Sequence, residues 1–197
     1  MTNNRRNLVL IHGLWDSPSL FNRFINLLDN DRYRILRPSL IHRFGKIPLI
    51  TLAKRLDKEI NQEFGSDSEI DILGFSMGGI VARIWIQQMG GSDRTGSFLS
   101  VGSPHLGTYT AQIVPKIFFE GIADMKVGSE LLNDLNVNLT ELKKVSCSSY
   151  FCKLDLLVFP GSNAILPVGS SYEIPVLSHK DLILNSKSLN FLKRKLS

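Results

Sequence analysis

The chain has 197 residues, of which 43% are hydrophobic and 21% charged, a composition that excludes a largely disordered or repetitive protein. This length suits one domain, so we expect a single unit over residues 1–197. The net charge of +5 would favour nucleic acid if the cations were clustered, but they are scattered and lack interleaved aromatic residues, so nucleic-acid binding is not expected.

The start of the chain does not have the features of an export signal. Its apolar run, Leu8 to Ile11, is shorter than the apolar core of a signal peptide, and no stretch approaches the roughly 20 apolar residues of a membrane-spanning helix. We therefore expect a cytoplasmic protein and leave peripheral membrane contact open. Cys147 and Cys152 are expected to be reduced, structural thiols, because a bridge between them would close a short loop and stabilise the fold little.

Strands and helices alternate along the first half of the chain. Short apolar runs with β-branched residues predict strands, and apolar residues at helical spacing predict amphipathic helices. The predicted strands cover residues 7–12, 33–38, 69–73 and 98–101, and the predicted helices cover about 20–28, 48–64 and 80–89. Ser17 or Ser19 is available to cap the first helix.

The second half of the chain begins with a less regular stretch from residue 104 to about 142. Strands near 143–150 and 172–177 and a closing helix over 185–196 follow it. Alternation of strands and helices predicts an α/β fold with a doubly wound, mostly parallel sheet, because right-handed crossovers put helices on both faces. Active sites in such sheets lie at the carboxyl ends of the strands.

A glycine-flanked serine lies between a predicted strand and a predicted helix. Residues 74–79 read Gly-Phe-Ser-Met-Gly-Gly and match the pattern Gly-x-Ser-x-Gly. A turn this tight favours residues without a Cβ on either side of the serine, and it would hold the Ser76 hydroxyl clear of the sheet at the N-terminus of the helix. The alternative is a glycine-rich turn in which the serine only caps the helix.

Three further stretches accompany this turn: His-Gly-Leu at residues 12–14, Gly-Ser-Pro-His-Leu-Gly-Thr at 102–108, and Asp155 followed by His179. Together the four stretches resemble the α/β-hydrolase family, and within it the small lipases and esterases. The resemblance covers nearly the whole chain in element order and implies an α/β-hydrolase fold with a minimal cap at about residues 104–142. It also implies an oxyanion hole formed by the backbone N–H groups of Leu14 and Met77.

A serine hydroxyl needs a base to take its proton. His12 belongs to the oxyanion loop, His42 lies in an early polar loop, and His105 lies in the stretch that the resemblance assigns to the pocket. His179 remains, and it follows the last predicted strand, where this fold presents its general base.

The acid is expected to be Asp155, with Asp124 as a second candidate. Asp155 follows the strand predicted near 143–150 and precedes a short apolar run and a proline, as the resemblance implies for the acid. It would accept the Nδ1–H of His179 and stabilise the imidazolium. The alternative role is that of a loop cap.

The expected substrate contacts lie in the oxyanion loop and in residues 104–142. They are His12, Gly13, Trp15, His105, Leu106, Ile117 and Phe118. The apolar residues near 113–122 suit an acyl chain, although a helix that only packs on the core would carry the same pattern. The oligomeric state stays open.

The pattern as a whole favours hydrolysis of a carboxylic ester, on a lipid or another apolar small molecule, through an acyl-enzyme on Ser76. This chemistry requires no metal and no organic cofactor. Two alternatives stay open: an acyl thioesterase with the same triad, and a non-catalytic ligand- or partner-binding protein on the same fold.

Overall fold

Six parallel strands form one sheet in the computed structural model, which describes residues 5–29 and 31–196. The strands are β1 (Arg6–Ile11), β2 (Tyr33–Leu36), β3 (Ile70–Phe75), β4 (Thr95–Val101), β5 (Ser146–Phe151) and β6 (Ser170–Glu173). Their order is β2-β1-β3-β4-β5-β6, and every neighbouring pair is parallel. The predicted doubly wound parallel sheet is therefore confirmed.

Helices cover both faces of this sheet. They are α1 (Asn22–Ile25), α2 (Leu49–Phe64), α3 (Met77–Gln88), α4 (Glu120–Ala123), α5 (Glu130–Val137), α6 (Asp181–Leu184) and α7 (Ser186–Leu196). Residues of α2, α3 and α5 pack in one buried apolar cluster, and residues of α1, α6 and α7 pack in another. The sheet separates these two clusters, as right-handed crossovers in a parallel sheet require.

The central strands are apolar on both sides because both faces are covered. In β1, Val9 and Ile11 join one cluster, and Leu8 and Leu10 join the other. This division follows from the two-residue period of a strand. Every residue of β3 is buried, which accounts for its near-continuous apolar sequence.

The first crossover helix is shorter than the prediction over 20–28. A 3₁₀ turn at Pro18–Phe21 leads into the single turn of α1. Ser17 does not cap it through its side chain; its hydroxyl lies 2.7 Å from that of Ser19 instead. Phe21 and Phe24 are nevertheless buried, so the apolar spacing correctly identified the packed face.

Boundaries of other elements also differ from the prediction. β3 extends to Phe75 and α3 begins at Met77, so a single residue separates them. β6 ends at Glu173, short of the predicted 172–177, and Pro175, which lacks a backbone N–H, cannot extend the ladder.

Residues 104–142 carry a 3₁₀ turn at Tyr109–Ala111 followed by α4 and α5. Ser129 caps α5 by accepting a hydrogen bond from the N–H of Leu132 at 3.3 Å.

The single unit predicted over 1–197 includes residues 1–4, 30 and 197, which lie outside the described residues, and this domain assignment stays a prediction.

Cys147 and Cys152 are free and buried, as predicted, and burial raises the pKa of each thiol to about 12. Both groups are therefore neutral thiols.

Across the described part of the chain, no helix is both long and apolar enough to cross a bilayer. The cytoplasmic location stays a prediction.

Candidate active site

The turn between β3 and α3 consists of Ser76 alone. Its backbone has φ 54° and ψ −125°, a conformation that residues with a side chain rarely adopt. The Ser76 N–H donates to the carbonyl oxygen of Val101 at 2.8 Å, which ties the turn to the end of β4. The strained turn raises the serine side chain above the carboxyl edge of the sheet, at the N-terminus of α3.

Glycines around this turn allow backbone segments to approach closely. A Cβ on Gly78 would lie 2.2 Å from the carbonyl oxygen of Ile11, and a Cβ on Gly74 would lie 2.5 Å from the Cα of Gly79. Backbone atoms cannot move aside as flexible side-chain ends can. Gly74 and Gly78 are therefore required by contact with backbone atoms, and the contact of Gly78 with Ile11 joins α3 to the end of β1.

His179 and Asp155 form a buried hydrogen-bonded pair. His179 Nδ1 lies 2.7 Å from Asp155 Oδ2, and both side chains are almost completely buried. The other carboxylate oxygen, Oδ1, accepts hydrogen bonds from the N–H groups of Leu157 at 2.9 Å and Val158 at 2.8 Å. With Asp155 as acceptor, Nδ1 of the neutral imidazole carries the proton and Nε2 is left as the basic nitrogen.

Ser76 and His179 line the same cavity. The imidazole ring packs against the ring of Phe75, the residue before the serine, with 4.8 Å between centroids. No hydrogen bond joins Ser76 Oγ to His179 among the described residues. In catalytic sites without substrate, this bond is often long and tightens when substrate binds.

The Gly13–Leu14 peptide is held in one orientation. Its carbonyl oxygen lies 2.9 Å from His12 Nδ1 and accepts from the N–H of Asp16 at 3.3 Å. His12 Nε2 accepts from the N–H of Leu40 at 3.2 Å, which leaves the ring proton on Nδ1 to donate. Because the C=O and N–H of a trans peptide point in opposite directions, the Leu14 N–H points away from these partners.

Two backbone donors are thus free near Ser76. Within the described residues, neither the Leu14 N–H nor the Met77 N–H donates a hydrogen bond to a protein acceptor, and Met77 is the first residue of α3. A Cβ on Gly13 would lie 2.9 Å from Ser76 Cβ, so the first loop lies directly against the serine. The role of these two N–H groups as oxyanion donors stays a prediction.

The cavity at this edge has a volume of about 700 Å³ and mostly apolar walls. It is lined by Leu14, Trp15, Asp16, Phe44, Ser76, Pro104, Thr108, Thr110, Ala111, Ile113, Val114, Pro115, Phe119, Ile122, Met125, Leu157, Val158, His179 and Lys180. Trp15 is the one member of the predicted substrate-contact set in this lining.

The other predicted substrate contacts lie outside the lining. Ile117 and Phe118 are 81% and 63% exposed, and the neighbouring Phe119 and Ile122 form the wall in their place, because successive side chains of this turn point in different directions. Leu106 is also exposed outside the cavity.

His12, Gly13 and His105 are likewise absent from the cavity wall. His12 is buried behind the loop and acts on the Gly13 carbonyl, and Gly13 packs against Ser76. His105 is buried under the site, where its Nε2 lies 2.6 Å from Ser100 Oγ. Burial holds the pKa of His105 well below the ordinary 6.5, and the charge of Arg83 lowers it further. This histidine is therefore neutral.

Two charged residues that the sequence did not single out lie in the cavity wall. Lys180 Nζ contacts Asp16 Oδ1, which joins the loop after β1 to the loop that carries His179. Their positions in the sequence could have identified them as cavity residues: Asp16 closely follows the His-Gly-Leu stretch, and Lys180 directly follows His179. The second acid candidate, Asp124, instead accepts a hydrogen bond from the N–H of Leu49 at 2.8 Å and contacts no histidine in the described residues.

The fold resembles those of solved hydrolases. Lipase BlEst2 from Bacillus licheniformis, in its mature form, superposes with a TM-score of 0.78 at 16% identity over 98% of this chain and 91% of that one. MGS-MChE2, an alpha/beta hydrolase enzyme from the metagenome of sediments of the Mar Chica lagoon in Morocco, gives 0.71 at 19% identity over 98% and 90%. Lipase B from Aspergillus fumigatus gives 0.75 at 13% identity, over 95% of this chain and 51% of that one.

These likenesses and the sheet order show that the chain has an α/β-hydrolase fold. The palmitoyl protein thioesterase family model matches residues 8–157, about three quarters of the sequence. The chain therefore belongs to the palmitoyl protein thioesterase family. No curated protein sequence matches it significantly.

Gly78→Ala is expected to destabilise the protein and disrupt the turn, because the new Cβ would lie 2.2 Å from a backbone carbonyl oxygen. Gly96→Ala is the matched control, since its Cβ would meet the movable end of the Glu69 side chain. We expect a loss of about 2 kcal/mol or more for Gly78→Ala and a smaller one for the control, measured by denaturant unfolding. Equal losses would contradict the close approach.

Burial of neutral His105 predicts that stability falls as the pH is lowered. The unfolded chain binds a proton near pH 6.5 while the folded chain does not, so the unfolded state gains as the pH drops below that value. Between about pH 7.5 and 5.5 this one group contributes roughly 1 kcal/mol to the loss. His12 and His42 add in the same direction, because burial lowers the pKa of each.

The measurement is the free energy of unfolding at several pH values for the wild type and His105→Gln. We expect the variant to have the shallower slope, whatever its stability at neutral pH. Parallel curves would show that the pKa of His105 in the folded protein is not lowered.

Proposed function

We propose that the protein hydrolyses apolar acyl esters through a covalent acyl-enzyme on Ser76, with His179 as general base and Asp155 as its acid partner. The observation that carries this proposal is the buried 2.7 Å hydrogen bond from the His179 imidazole to Asp155, in a cavity that also exposes Ser76 at a strained turn. A serine that merely capped a helix would not need this pair beside it. Ser76 also makes no side-chain cap hydrogen bond to α3.

The proposed reaction has two halves. Ser76 Oγ attacks the acyl carbonyl carbon while His179 Nε2 takes the hydroxyl proton, and the resulting tetrahedral intermediate expels the leaving group, which receives that proton from His179. Water then gives a proton to His179 and attacks the acyl-enzyme, and the second tetrahedral intermediate expels Ser76 Oγ, which takes that proton back from His179 as the acid is released. Asp155 holds the imidazole in the required tautomer and stabilises its protonated form. These steps need no metal or organic cofactor.

The oxyanion would be bound by the N–H groups of Leu14 and Met77. Both are free of protein acceptors in the described residues, and both are fixed before substrate binds, one by the His12 contact to the Gly13 carbonyl and the other by its position at the start of α3. Preorganised donors of this kind stabilise charge that develops only during the reaction. The N-terminus of α3 adds a favourable partial positive charge.

The acyl chain would lie in the apolar cavity. Ala111, Val114, Phe119, Ile122 and Met125 supply much of its wall, from residues 104–142, which we assign as a short cap of a single domain. Trp15 and Phe44 are exposed at its rim, 63% and 71% respectively. An apolar rim around an apolar cleft supports a lipid-like substrate and brief contact with a membrane surface.

Thioester hydrolysis is the second candidate, and the match to the palmitoyl protein thioesterase family favours it. The same triad would serve, since only the leaving group changes from an alcohol to a thiol. Comparing an ester and a thioester that carry the same acyl group, by kcat/KM, distinguishes the two activities.

Ser76→Ala, His179→Ala and Asp155→Asn are expected to abolish most activity on p-nitrophenyl esters and acyl thioesters. The loss in kcat should be about 10⁶-fold for Ser76→Ala, which removes the nucleophile, and about 10⁴-fold for Asp155→Asn, which removes the carboxylate charge beside His179. Ser66→Ala, an exposed serine outside the cavity, is the control and should retain wild-type rates.

Labelling by a fluorophosphonate provides the second measurement. It should occur in the wild type and in Ser66→Ala, and be lost in Ser76→Ala. A wild type that neither labels nor turns over any ester or thioester of the panel would overturn the proposal and favour a non-catalytic binding protein.

Phe119→Ala should shift the preferred acyl chain toward longer or bulkier groups, because truncation widens the apolar cavity. Phe118→Ala is the matched control, since its side chain lies outside the lining and is 63% exposed. The measurement is kcat/KM across short, medium and long acyl chains. The same shift in both variants, or in neither, would contradict the assigned wall.

A further inference from the structure

The Asp16–Lys180 contact joins two loops that are far apart in sequence and adjacent in the cavity. Asp16 lies two residues after Leu14, and Lys180 lies one residue after His179. The contact therefore links the loop that carries one free N–H donor to the loop that carries the base. Both side chains line the cavity that Ser76 and His179 also line.

The Asp16 carboxylate is largely removed from water and close to the serine. Its side chain is 9% exposed. A Cβ on Gly13 would lie 3.1 Å from Asp16 Oδ2 and 2.9 Å from Ser76 Cβ, so the carboxylate and the serine pack against the same glycine. A negative charge at this position opposes the formation of a second negative charge on the substrate oxygen.

Lys180 supplies the compensating charge. Among the described residues it is the one cation in an ion pair with Asp16, and its Nζ also lies over the ring of Phe75, 5.9 Å from the centroid. Its loop is braced by Ser178, whose Oγ donates to Asp181 Oδ2 at 2.7 Å. The ammonium group is thus held on the site side of the loop while about half of the side chain remains exposed.

We infer that Lys180 is a positioning residue for the proposed hydrolysis, which neutralises Asp16 beside the oxyanion position and fixes the base loop against the oxyanion loop. This inference rests on the proposed function. A plain structural cross-link is the competing explanation, and the two differ in what removal of one charge does. A cross-link is broken equally by losing either partner. If Lys180 neutralises Asp16, loss of the lysine lowers kcat more than loss of the aspartate does, because an unpaired carboxylate then remains near the reacting oxygen.

The experiment compares Lys180→Met, Asp16→Asn, the double variant with both changes, and Lys180→Arg. We expect kcat to fall about tenfold or more in Lys180→Met, on the order of the effect of one unpaired charge within about 10 Å at an effective dielectric constant near 20. Asp16→Asn should lose less. The double variant, which restores neutrality without the ion pair, should recover a large part of the kcat lost in Lys180→Met, and Lys180→Arg should stay closest to the wild type.

Arg34→Met and Glu63→Gln break a surface ion pair of 2.9 Å that does not line the cavity, and they should leave kcat and KM unchanged. Melting temperatures of all variants separate a loss of folding from a loss of rate. An active wild type in which both single variants fall equally and the double variant falls at least as far would overturn the neutralising role. An inactive wild type that also fails to label at Ser76 would overturn the proposed function, and this inference with it.

Discussion

The close approach of the turn at Ser76 to the end of β1 is the constraint on which the site depends. Gly78 lies so near the Ile11 carbonyl that no side chain fits between them, and a Cβ on Gly13 would lie 2.9 Å from Ser76 Cβ. This contact places the first residue of α3 beside the loop after β1. The two free N–H groups therefore lie near each other because Gly13 and Gly78 allow these segments to approach closely.

The rest of the site is assembled by the parallel sheet. Ser76 follows β3, Asp155 comes from the loop after β5, and His179 comes from the loop after β6. Parallel strands end at one edge, so residues separated by about 80 and 24 positions meet there without a long connecting loop. The hydrogen bonds that Leu157 and Val158 donate then fix the carboxylate, which in turn fixes the ring.

Environment gives the four histidines different roles. Within the described residues, His179 alone bonds to a carboxylate. His12 holds a carbonyl, and His42 accepts a hydrogen bond from the N–H of Trp15 at 3.2 Å. His105 is sealed in the interior, and burial lowers its pKa. Burial lowers the pKa of His12, His42 and His105, which favours the neutral form of each imidazole.

The sequence by itself determined the strand and helix order and the glycine-flanked turn at Ser76, because apolar periodicity and glycine spacing are local signals. The choice of Asp155 and His179 came from the family resemblance and the chain order, and their catalytic roles stay a prediction. The sequence did not determine which side chains of residues 104–142 face the cleft. The predicted substrate contact was therefore Phe118, whereas Phe119 lines the cavity. Nor did it reveal the contact between Asp16 and Lys180, which are 164 residues apart. Only the tertiary structure decided these points. The direction of a side chain in an irregular turn depends on how that turn packs, and charges from distant loops pair only because the parallel strands end at the same edge of the sheet.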